Sequence, residues 1–350
     1  MMFDPILDFF RGKAVTIPPM DGALRPNTAL DDAEILTKIE APDNLVSVNE
    51  KLFFTSGEKL LVIGGKQPLA SFSAPITAVA VSQNEVFAVG LNSGRIEFHN
   101  SDLPALEGFN CPVAMVFNGP DELLICNGSE QFKPSDWASD LMHKNASGSV
   151  WSVNLKSGER RCLVRNLAFP YGIATDSEKA RIIVSESWKH RLISIPFAGG
   201  LPSPVLSKLA GYPARLFARS SGGYILSLFA PRNRLIEFVL LEDDYRTAMM
   251  KEFDSRYWIA PSLAASKSFL EPLQSGGVKT MGIHKPWSPS RSYGLVATLD
   301  KSFAPIDSFH SRANGTRHGI TSAIEFKNGI AASSKGGDMI LQFAFDGKKP

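Results

Sequence analysis

The sequence predicts an all-β protein, a six-bladed β-propeller with a partly helical insertion in or after the fifth blade. Three observations predict this fold. A strand-rich unit recurs six times along the chain, five of the six copies open with a proline, and no helical periodicity separates them. Units of this kind bury their faces by packing radially, and a proline at the start of a strand has no ladder donor to lose.

The most complete copy of the unit is the fourth, which opens at Pro170. Ile173 and Thr175 alternate along its first strand, and a polar turn leads to a second strand over Ile182 to Val184. A third strand runs from Leu192 to Pro196 and ends at two glycines. One such meander has too little apolar surface to be stable alone, so the copies must pack on one another.

The remaining copies open at Pro42, Pro75, Pro112, Pro213 and near His318. A polar insertion from about Glu130 to Asn145 interrupts the third copy and is expected in a turn. Each copy shows only about three strong strands. The outer strands are therefore expected in the weaker linking segments, such as Arg161 to Arg165 and Ala304 to Phe309.

Residues 1–40 hold no copy of the unit, but Glu34 to Glu40 alternates well enough to be a strand. We expect it to complete the last blade and close the ring, because an open ring would leave unpaired edges. The predicted organisation is an N-terminal segment over 1–40 and one propeller over 41–346.

A long insertion at about 242–290 breaks the rhythm after the fifth copy. The apolar positions between Leu240 and Phe253 fit a helix better than a strand. An insertion at the edge of a propeller is either a lid over the channel or a packing device on the rim, and the sequence leaves both open.

Composition restricts the class of protein. The chain has 350 residues, of which 44% are hydrophobic, and its 37 basic and 35 acidic residues give a formal charge of +2. With no block of like charges and no apolar run of membrane length, neither a nucleic-acid nor a membrane partner is predicted, and a cytoplasmic location is expected. Cys111, Cys126 and Cys162 have no metal-type spacing and are expected to be structural. The oligomeric state is not predicted.

Two stretches carry a family resemblance. The fourth copy, FPYGIATDSEKARIIVSESWKHRLISI, resembles the FPNG…VAE…RI signature of the strictosidine synthase-like proteins, within the gluconolactonase and paraoxonase-like superfamily. The fifth copy, which starts GYPARLF, is similar in layout to the GYPDN…GG segment of that family. The resemblance covers roughly residues 41–346. It implies an active site at the mouth of the central channel, lactone or aryl-ester hydrolysis as in several relatives, and a condensation as in strictosidine synthase itself.

The resemblance also implies where a divalent ion would bind, and here the chain departs from its relatives. The ligand positions just after three blade openings read Asp43, Tyr171 and Ala214. Asn127 could join Asp43, but two ligands make a poor site for a hard cation that needs several oxygens. No metal and no other cofactor is predicted, and calcium and zinc are disfavoured.

Three residues are catalytic candidates. Arg215 could polarise a carbonyl in place of the lost ion, and His318 is a candidate general base because an imidazole titrates near neutrality. Tyr171 could donate to a developing oxyanion. Structural interpretations stay open for each of them: Arg215 pairing with a blade acid, His318 bonding to backbone, and Tyr171 plugging the channel.

Five further residues are candidates for substrate binding: Asp43, Asn44, Asn127, Thr321 and Ser322. By the resemblance, Thr321 and Ser322 stand where strictosidine synthase carries a carboxylate on its last blade, which weakens the condensation hypothesis. Glu186 matches the VAE element and is interpreted as a structural carboxylate paired with Arg191.

The predicted function is that of a small-molecule hydrolase of the lactonase or arylesterase type. It would act at the central channel, without the usual metal, on a carbonyl-bearing ligand that can also be anionic. Two alternatives stay open: a condensing or isomerising enzyme of the strictosidine synthase kind, and a ligand-binding propeller without chemistry.

Overall fold

The computed structural model describes residues 16–265, 290–345 and 347. Within them, 23 strands form six antiparallel sheets, which confirms the predicted six-bladed propeller. The first strands of neighbouring blades contact one another in a closed ring and surround the central channel. None of the helices in these residues is long and apolar enough to cross a membrane.

The strands of the first three blades follow the chain in order after the closing strand β1 (Glu34–Lys38). Blade 1 contains β2 (Asp43–Val48), β3 (Lys51–Ser56), β4 (Lys59–Val62) and β5 (Ala70–Ser71). Blade 2 contains β6 (Ile76–Val81), β7 (Phe87–Leu91) and β8 (Ile96–His99). Blade 3 contains β9 (Pro112–Phe117), β10 (Glu122–Asn127), β11 (Gly148–Asn154) and β12 (Arg160–Leu167).

The last three blades have the same meander. Blade 4 contains β13 (Pro170–Asp176), β14 (Arg181–Glu186), β15 (Arg191–Pro196) and β16 (Ser203–Leu206). Blade 5 contains β17 (Gly211–Ala218), β18 (Tyr224–Pro231), β19 (Gly294–Leu299) and β20 (Pro305–Ser311). Blade 6 contains β21 (Ile320–Phe326), β22 (Gly329–Ser334) and β23 (Met339–Ala344). The two outer strands expected in linking segments are confirmed as β12 and β20.

The ring closes through β1, which pairs antiparallel with β23 and becomes the outer strand of blade 6. This confirms the predicted closure. The short helix α1 (Ala29–Asp32) precedes β1 and buries Leu30 completely. Arg317 fixes the segment further, since its Nη1 donates to the carbonyl oxygen of Ala33 at 2.7 Å.

The core is divided among the contacts between neighbouring blades. Six hydrophobic clusters each join two adjacent blades; in one of them, Val113 and Leu124 of blade 3 pack with Ile182 and Val184 of blade 4. A single meander thus gains its buried surface only from its neighbours, as the repeat predicted.

Two insertions carry the remaining helices, and both connect the second and third strands of a blade. In blade 3 the insertion holds α2 (Trp137–Met142), and in blade 5 it holds α3 (Arg234–Leu241) and α4 (Asp243–Glu252). The single helix expected between Leu240 and Phe253 is two helices, because Glu242 leaves helical geometry between them. The helical part also begins before residue 242, where Asn233 caps α3 by accepting from the backbone nitrogen of Leu235 at 2.8 Å. The part of this insertion at 266–289 lies outside the described residues.

Candidate functional site

Every innermost strand carries a bulge within its first few residues. In β6, for example, Ile76 pairs with Leu91 and Ala78 with Gly90, so Thr77 is skipped. The residues skipped in the six ladders are Asn44 and Leu45, Thr77, Val113, Tyr171, Ala214 and Arg215, and Thr321. A bulged residue has no ladder partner and re-aims its polar groups. Six bulges therefore present unpaired backbone and side-chain groups around one end of the channel.

Arg215 occupies this ring of bulges and contacts all six blades. Its Nη1 donates to Asp43 Oδ1 at 2.6 Å and to the carbonyl oxygen of Thr321 at 3.4 Å. Its Nη2 donates to the carbonyl oxygens of Thr77 at 2.8 Å and Val113 at 3.1 Å. The guanidinium also lies 5.1 Å from the ring centre of Tyr171 in blade 4. A planar group with several fixed donors suits this task in a way that a lysine ammonium would not.

Asp43 is the acceptor at the centre of the site. Besides Arg215, its Oδ1 accepts from Thr321 Oγ1 at 2.8 Å, and its Oδ2 accepts from the Lys335 ammonium at 2.9 Å. Burial alone would raise the pKa of this carboxyl group, but the charges of Arg215 and Lys335 outweigh burial and lower the pKa to about 2. We call Asp43, Arg215 and Lys335 the central charge cluster.

Lys335 is held by a glycine turn between β22 and β23. Its backbone nitrogen donates to the carbonyl oxygen of Gly319 at 3.0 Å. A Cβ on Gly336 would collide with the carbonyl oxygen of Leu263, so only glycine allows this close approach. Burial would lower the pKa of the Lys335 ammonium, but the neighbouring Asp43 carboxylate raises it above the usual value. Lys335 is therefore a protonated donor at neutral pH.

Above the central charge cluster lies a cavity of about 180 Å³ with mainly apolar walls that include five aromatic side chains, which we call the channel-mouth pocket. Phe169 stacks on Trp188 with ring centres 4.5 Å apart, and Tyr171 meets Phe169 edge-on at 5.4 Å. Trp188 is fixed by donating from Nε1 to Asp140 Oδ1 at 2.6 Å. The lining residues are Asp43, Pro75, Ile76, Thr77, Asn92, Val113, Pro134, Ser135, Trp137, Phe169, Tyr171, Trp188, Phe229, Leu263 and Lys335.

Of the residues predicted from the sequence, the structure brings four together at this place. Asp43 and Tyr171 line the channel-mouth pocket, Arg215 lies in the channel beneath it, and Thr321 binds Asp43. Burial raises the pKa of Tyr171, so its phenol stays protonated and able to donate. Arg215 is not a free electrophile as hypothesised, because hydrogen bonds to Asp43 and to three backbone carbonyls already occupy both of its terminal nitrogens.

Two predicted binding residues lie outside the pocket. The amide nitrogen of Asn44 donates to Thr55 Oγ1 within blade 1 at 2.9 Å. Asn127 accepts from the backbone nitrogen of Cys111 at 2.7 Å and donates to Glu130 at 2.8 Å, and so holds the start of the blade 3 insertion. The expectation that both side chains lie at the channel mouth is corrected: each forms its hydrogen bonds within its own blade.

Ser322 is also corrected, since it faces the opposite end of the channel. It lines a separate cavity of about 210 Å³ among the innermost strands, on the other side of Arg215. Its Oγ accepts from the backbone nitrogen of Leu45 at 3.1 Å. Successive residues of a strand point to opposite sides, which separates Ser322 from Thr321.

His318 is fully buried and does not line the channel-mouth pocket. Its Nε2 is 2.8 Å from the carbonyl oxygen of Arg312, and its Nδ1 is 2.8 Å from Ser292 Oγ. Because a carbonyl can only accept, Nε2 carries the proton and Nδ1 accepts from the serine. The proposed role of His318 as a general base is corrected to a structural one. The backbone nitrogen of Gly336 donates to the carbonyl oxygen of His318 at 3.2 Å, so His318 supports the turn that carries Lys335.

Acid is expected to destabilise the fold through its buried histidines. Burial lowers the pKa of His318, and it lowers the pKa of the fully buried His310 to about 4. Below pH 6.5 these histidines bind more protons in the unfolded chain than in the folded chain. The free energy of unfolding therefore decreases as the pH is lowered. Between pH 7 and pH 4, His310 alone should remove about 3 kcal/mol. Urea unfolding against pH measures this loss, and a His310→Gln variant with the same pH slope as the parent protein would contradict it.

Glu186 behaves as predicted. Its Oε2 accepts from Arg191 Nε at 2.6 Å, and its Oε1 accepts from the backbone nitrogen of Ala168 at 2.9 Å. The carboxylate therefore joins two segments of blade 4 at the foot of the aromatic walls and is confirmed as structural.

Sequence reasoning missed Lys335 and most of the aromatic walls. A topological signal was nevertheless present. The innermost strands begin at the channel mouth, so every connection from a second to a third strand returns to the same face. Residues contributed by such connections are Asn92, Ser135, Trp137, Trp188, Leu263 and Lys335. Both insertions belong to this set, and their presence on one face could have been predicted from strand order alone.

Comparisons with known proteins agree with this architecture. The family model for strictosidine synthase matches residues 115–195. The adipocyte plasma membrane-associated protein of Danio rerio is 22% identical over 334 residues, which cover 84% of this chain and 80% of that protein, and the Mus musculus protein gives the same values. The chain is thus similar to strictosidine synthase over residues 115–195 and to the adipocyte plasma membrane-associated proteins over most of its length.

Solved structures share the fold of this strictosidine synthase-like chain at low identity. A gluconolactonase from Xanthomonas campestris superposes with a TM-score of 0.55 at 10% identity, covering 94% of this chain and 97% of that one. A luciferin-regenerating enzyme gives a TM-score of 0.53 at 10% identity, covering 87% and 91%. At this level of identity the likeness concerns the fold alone.

The site does not fit a hard divalent cation, which needs several oxygen ligands. Asp43 already faces two cationic side chains, Tyr171 presents a protonated phenol, and position 214 is a buried alanine. Within residues 16–265, 290–345 and 347, no three His, Cys, Asp or Glu side chains are grouped to hold a metal ion. An added divalent cation beside Asp43 would be repelled by Arg215 and Lys335.

Proposed function

We propose that this chain binds a small molecule in the channel-mouth pocket and holds one of its oxygen atoms at the Lys335 ammonium. One observation carries the proposal: a protonated lysine stands at the floor of a mainly apolar cavity. An apolar pocket with a few convergent polar groups is typical of ligand sites. The coarser conclusion, a strictosidine synthase-like propeller, does not depend on it.

The hydrogen bonding of Lys335 supports this role. Within the described residues its ammonium donates one side-chain hydrogen bond, to Asp43 Oδ2 at 2.9 Å, whereas an ammonium has three protons. Its side chain is 31% exposed, while that of Asp43 is 5% exposed. Asp43 thus orients the ammonium, and the remaining protons are available to a carbonyl or carboxylate oxygen.

We further propose that the pocket works without a divalent cation. The Arg215 guanidinium lies 2.6 Å from Asp43, on the carboxylate that a metal would need. A fixed guanidinium supplies positive charge at the channel axis without any exchangeable ion. If elemental analysis finds about one equivalent of calcium or zinc in the purified protein, this proposal is contradicted.

A second candidate function is hydrolysis of a lactone or ester, favoured by the ammonium and carboxylate side by side on the floor. Lys335 would stabilise the oxyanion formed when water attacks the acyl carbon, and Asp43 Oδ2 would orient that water. The C–O bond to the alcohol then breaks, one proton of the water passes to the alcohol, and the other is released to solvent as the acid leaves as carboxylate. A carboxylate with a pKa of about 2 is a weak base, so turnover is expected only for activated esters or strained lactones.

The condensing alternative receives less support. That function required a free carboxylate on the last blade. Thr321 stands there instead, and its hydroxyl donates to Asp43 Oδ1 at 2.8 Å. Glu325 lies further along β21 and accepts from the backbone nitrogen of Ser220 at 2.8 Å. We therefore propose ligand binding as the main function and hydrolysis as the second candidate function.

Replacing Lys335 with methionine is expected to weaken binding of acetophenone, a single ring with one carbonyl oxygen, by about tenfold or more. A hydrogen bond from a charged donor contributes about 1.5–3 kcal/mol, which sets this factor. Quenching of tryptophan fluorescence measures the binding, because Trp137 and Trp188 line the pocket. Turnover of 4-nitrophenyl acetate by the same samples tests hydrolysis.

The matched control is Lys301→Met, since Lys301 pairs with Glu178 at 3.6 Å on an exposed surface. It should leave binding unchanged. Failure of the unchanged protein to bind acetophenone, or equal binding by the Lys335→Met variant, would contradict the proposed function. Equal turnover in all three proteins would reject hydrolysis at this site.

A further inference from the structure

The central charge cluster carries one surplus positive charge. Arg215 and Lys335 are both cationic, and the single carboxylate that pairs with either of them in the described residues is Asp43. The two cations occupy different oxygens of that carboxylate, at 2.6 and 2.9 Å. One positive charge therefore remains without a counter-ion at the floor of the pocket.

The surplus charge is accessible at Lys335 rather than at Arg215. The two terminal nitrogens of Arg215 donate hydrogen bonds to Asp43 and to three backbone carbonyls, and the side chain is 13% exposed. Lys335 lines the channel-mouth pocket. An anion that enters from the mouth reaches the lysine first, and the arginine stays behind the carboxylate.

The walls increase the effect of that charge. Five of the fifteen lining residues are aromatic, namely Trp137, Phe169, Tyr171, Trp188 and Phe229, and five more are apolar. In such a low-dielectric surrounding an ion pair is much stronger than in water, and an uncompensated charge is costly. An anionic group on the ligand would supply the missing counter-ion, and an ammonium group would be repelled.

The size and shape of the cavity restrict the rest of the ligand. The volume is about 180 Å³. A cavity of about 150 Å³ holds one benzene ring, so a single ring with a short acidic chain fits within this volume. Aromatic walls favour a flat ring, because stacked and edge-on contacts with Trp188 or Phe229 add to the burial of apolar surface.

We propose that the channel-mouth pocket binds small aryl or arylalkyl monocarboxylates, with the carboxylate at Lys335 and the ring against the aromatic walls. This inference rests on the proposed function for the location of the site and adds the charge and the size of the ligand. It assigns Lys335 as the residue that determines preference for anions.

The test compares four probes on the full chain by calorimetry and tryptophan fluorescence: phenylacetate, the neutral isostere phenylacetamide, the cation 2-phenylethylamine, and acetate without a ring. Phenylacetate is expected to bind at least tenfold more tightly than phenylacetamide, and acetate and the amine should bind least. In Lys335→Met the preference for phenylacetate over phenylacetamide should disappear, in Lys335→Arg it should persist, and Lys301→Met should keep the full preference.

Each result has a distinct meaning. Equal binding of phenylacetate and phenylacetamide, or tighter binding of the amine, overturns the inference while the proposed function stands. An unchanged preference in Lys335→Met also overturns it. If none of the ring-bearing probes binds, the proposed function fails as well. Thermal unfolding of each variant shows whether it is folded. If Lys335→Met is less stable, its binding of phenylacetamide shows that the pocket is still formed, so the comparison with phenylacetate holds.

Discussion

Replacing Arg215 with alanine is expected to lower the free energy of unfolding by about 3–5 kcal/mol, the cost of removing one partner from a buried ion pair. The variant would leave Asp43 in the channel without its guanidinium. It would also leave the carbonyl oxygens of Thr77, Val113 and Thr321 without their donor. Urea unfolding should show a lower midpoint, because the Arg215 side chain joins all six blades at the channel axis.

A matched control separates this effect from the general removal of an arginine. Arg256 also has a carboxylate partner, Asp254 at 3.3 Å, and an aromatic partner, Tyr257 at 4.9 Å, but its side chain is 69% exposed. Arg256→Ala should cost no more than about 1 kcal/mol, as exposed ion pairs do. A loss of stability in Arg215→Ala as small as that of the control would refute the central role of Arg215.

A second variant examines the origin of the cost. If the changed electrostatics of the central charge cluster cause the destabilisation, then a variant without any of its charges, Arg215→Met with Asp43→Leu and Lys335→Met, should be more stable than Arg215→Ala alone. Additive destabilisation in that triple variant would instead indicate that the backbone carbonyls dominate the energy.

A chain that begins at Ala41 is expected to lose its cooperative unfolding transition or to aggregate. It lacks β1, so β23 becomes an exposed edge strand with unpaired backbone groups. It also lacks Leu30, which is fully buried, and full burial of a leucine contributes about 1.5–3 kcal/mol. Size-exclusion chromatography and thermal unfolding measure the outcome.

The comparison chain begins at Thr16 and keeps every described contact of the closing segment. It should stay soluble and keep a cooperative unfolding transition. A soluble chain from Ala41 with the same unfolding temperature would show that closure through β1 is dispensable, contrary to the structure.

The sequence by itself determined the fold, the number of blades and the closing strand. Alternating strands such as Ile182 to Val184 and repeated prolines are local signals, and stacking of copies is the direct way to bury their apolar faces. Glu34–Lys38 had no blade of its own, so closure followed from the need to pair the last edge. Tyr171, Asp43 and Arg215 were also found from the repeat register, because residues after a blade opening lie near the channel axis.

Only the tertiary structure decided what these residues do. Whether Arg215 is a free electrophile or a bonded centre depends on bulges in six separate strands, and a bulge is set by contacts across the ladder rather than by the residue that is skipped. Asn127 matched the register but forms its hydrogen bonds within blade 3, and His318 turns toward Ser292 and Arg312 beside the strands of blade 5. Lys335 gave no local signal. Its place beside Asp43, 292 positions away in the chain, arises from ring closure, which brings the first and last blades together.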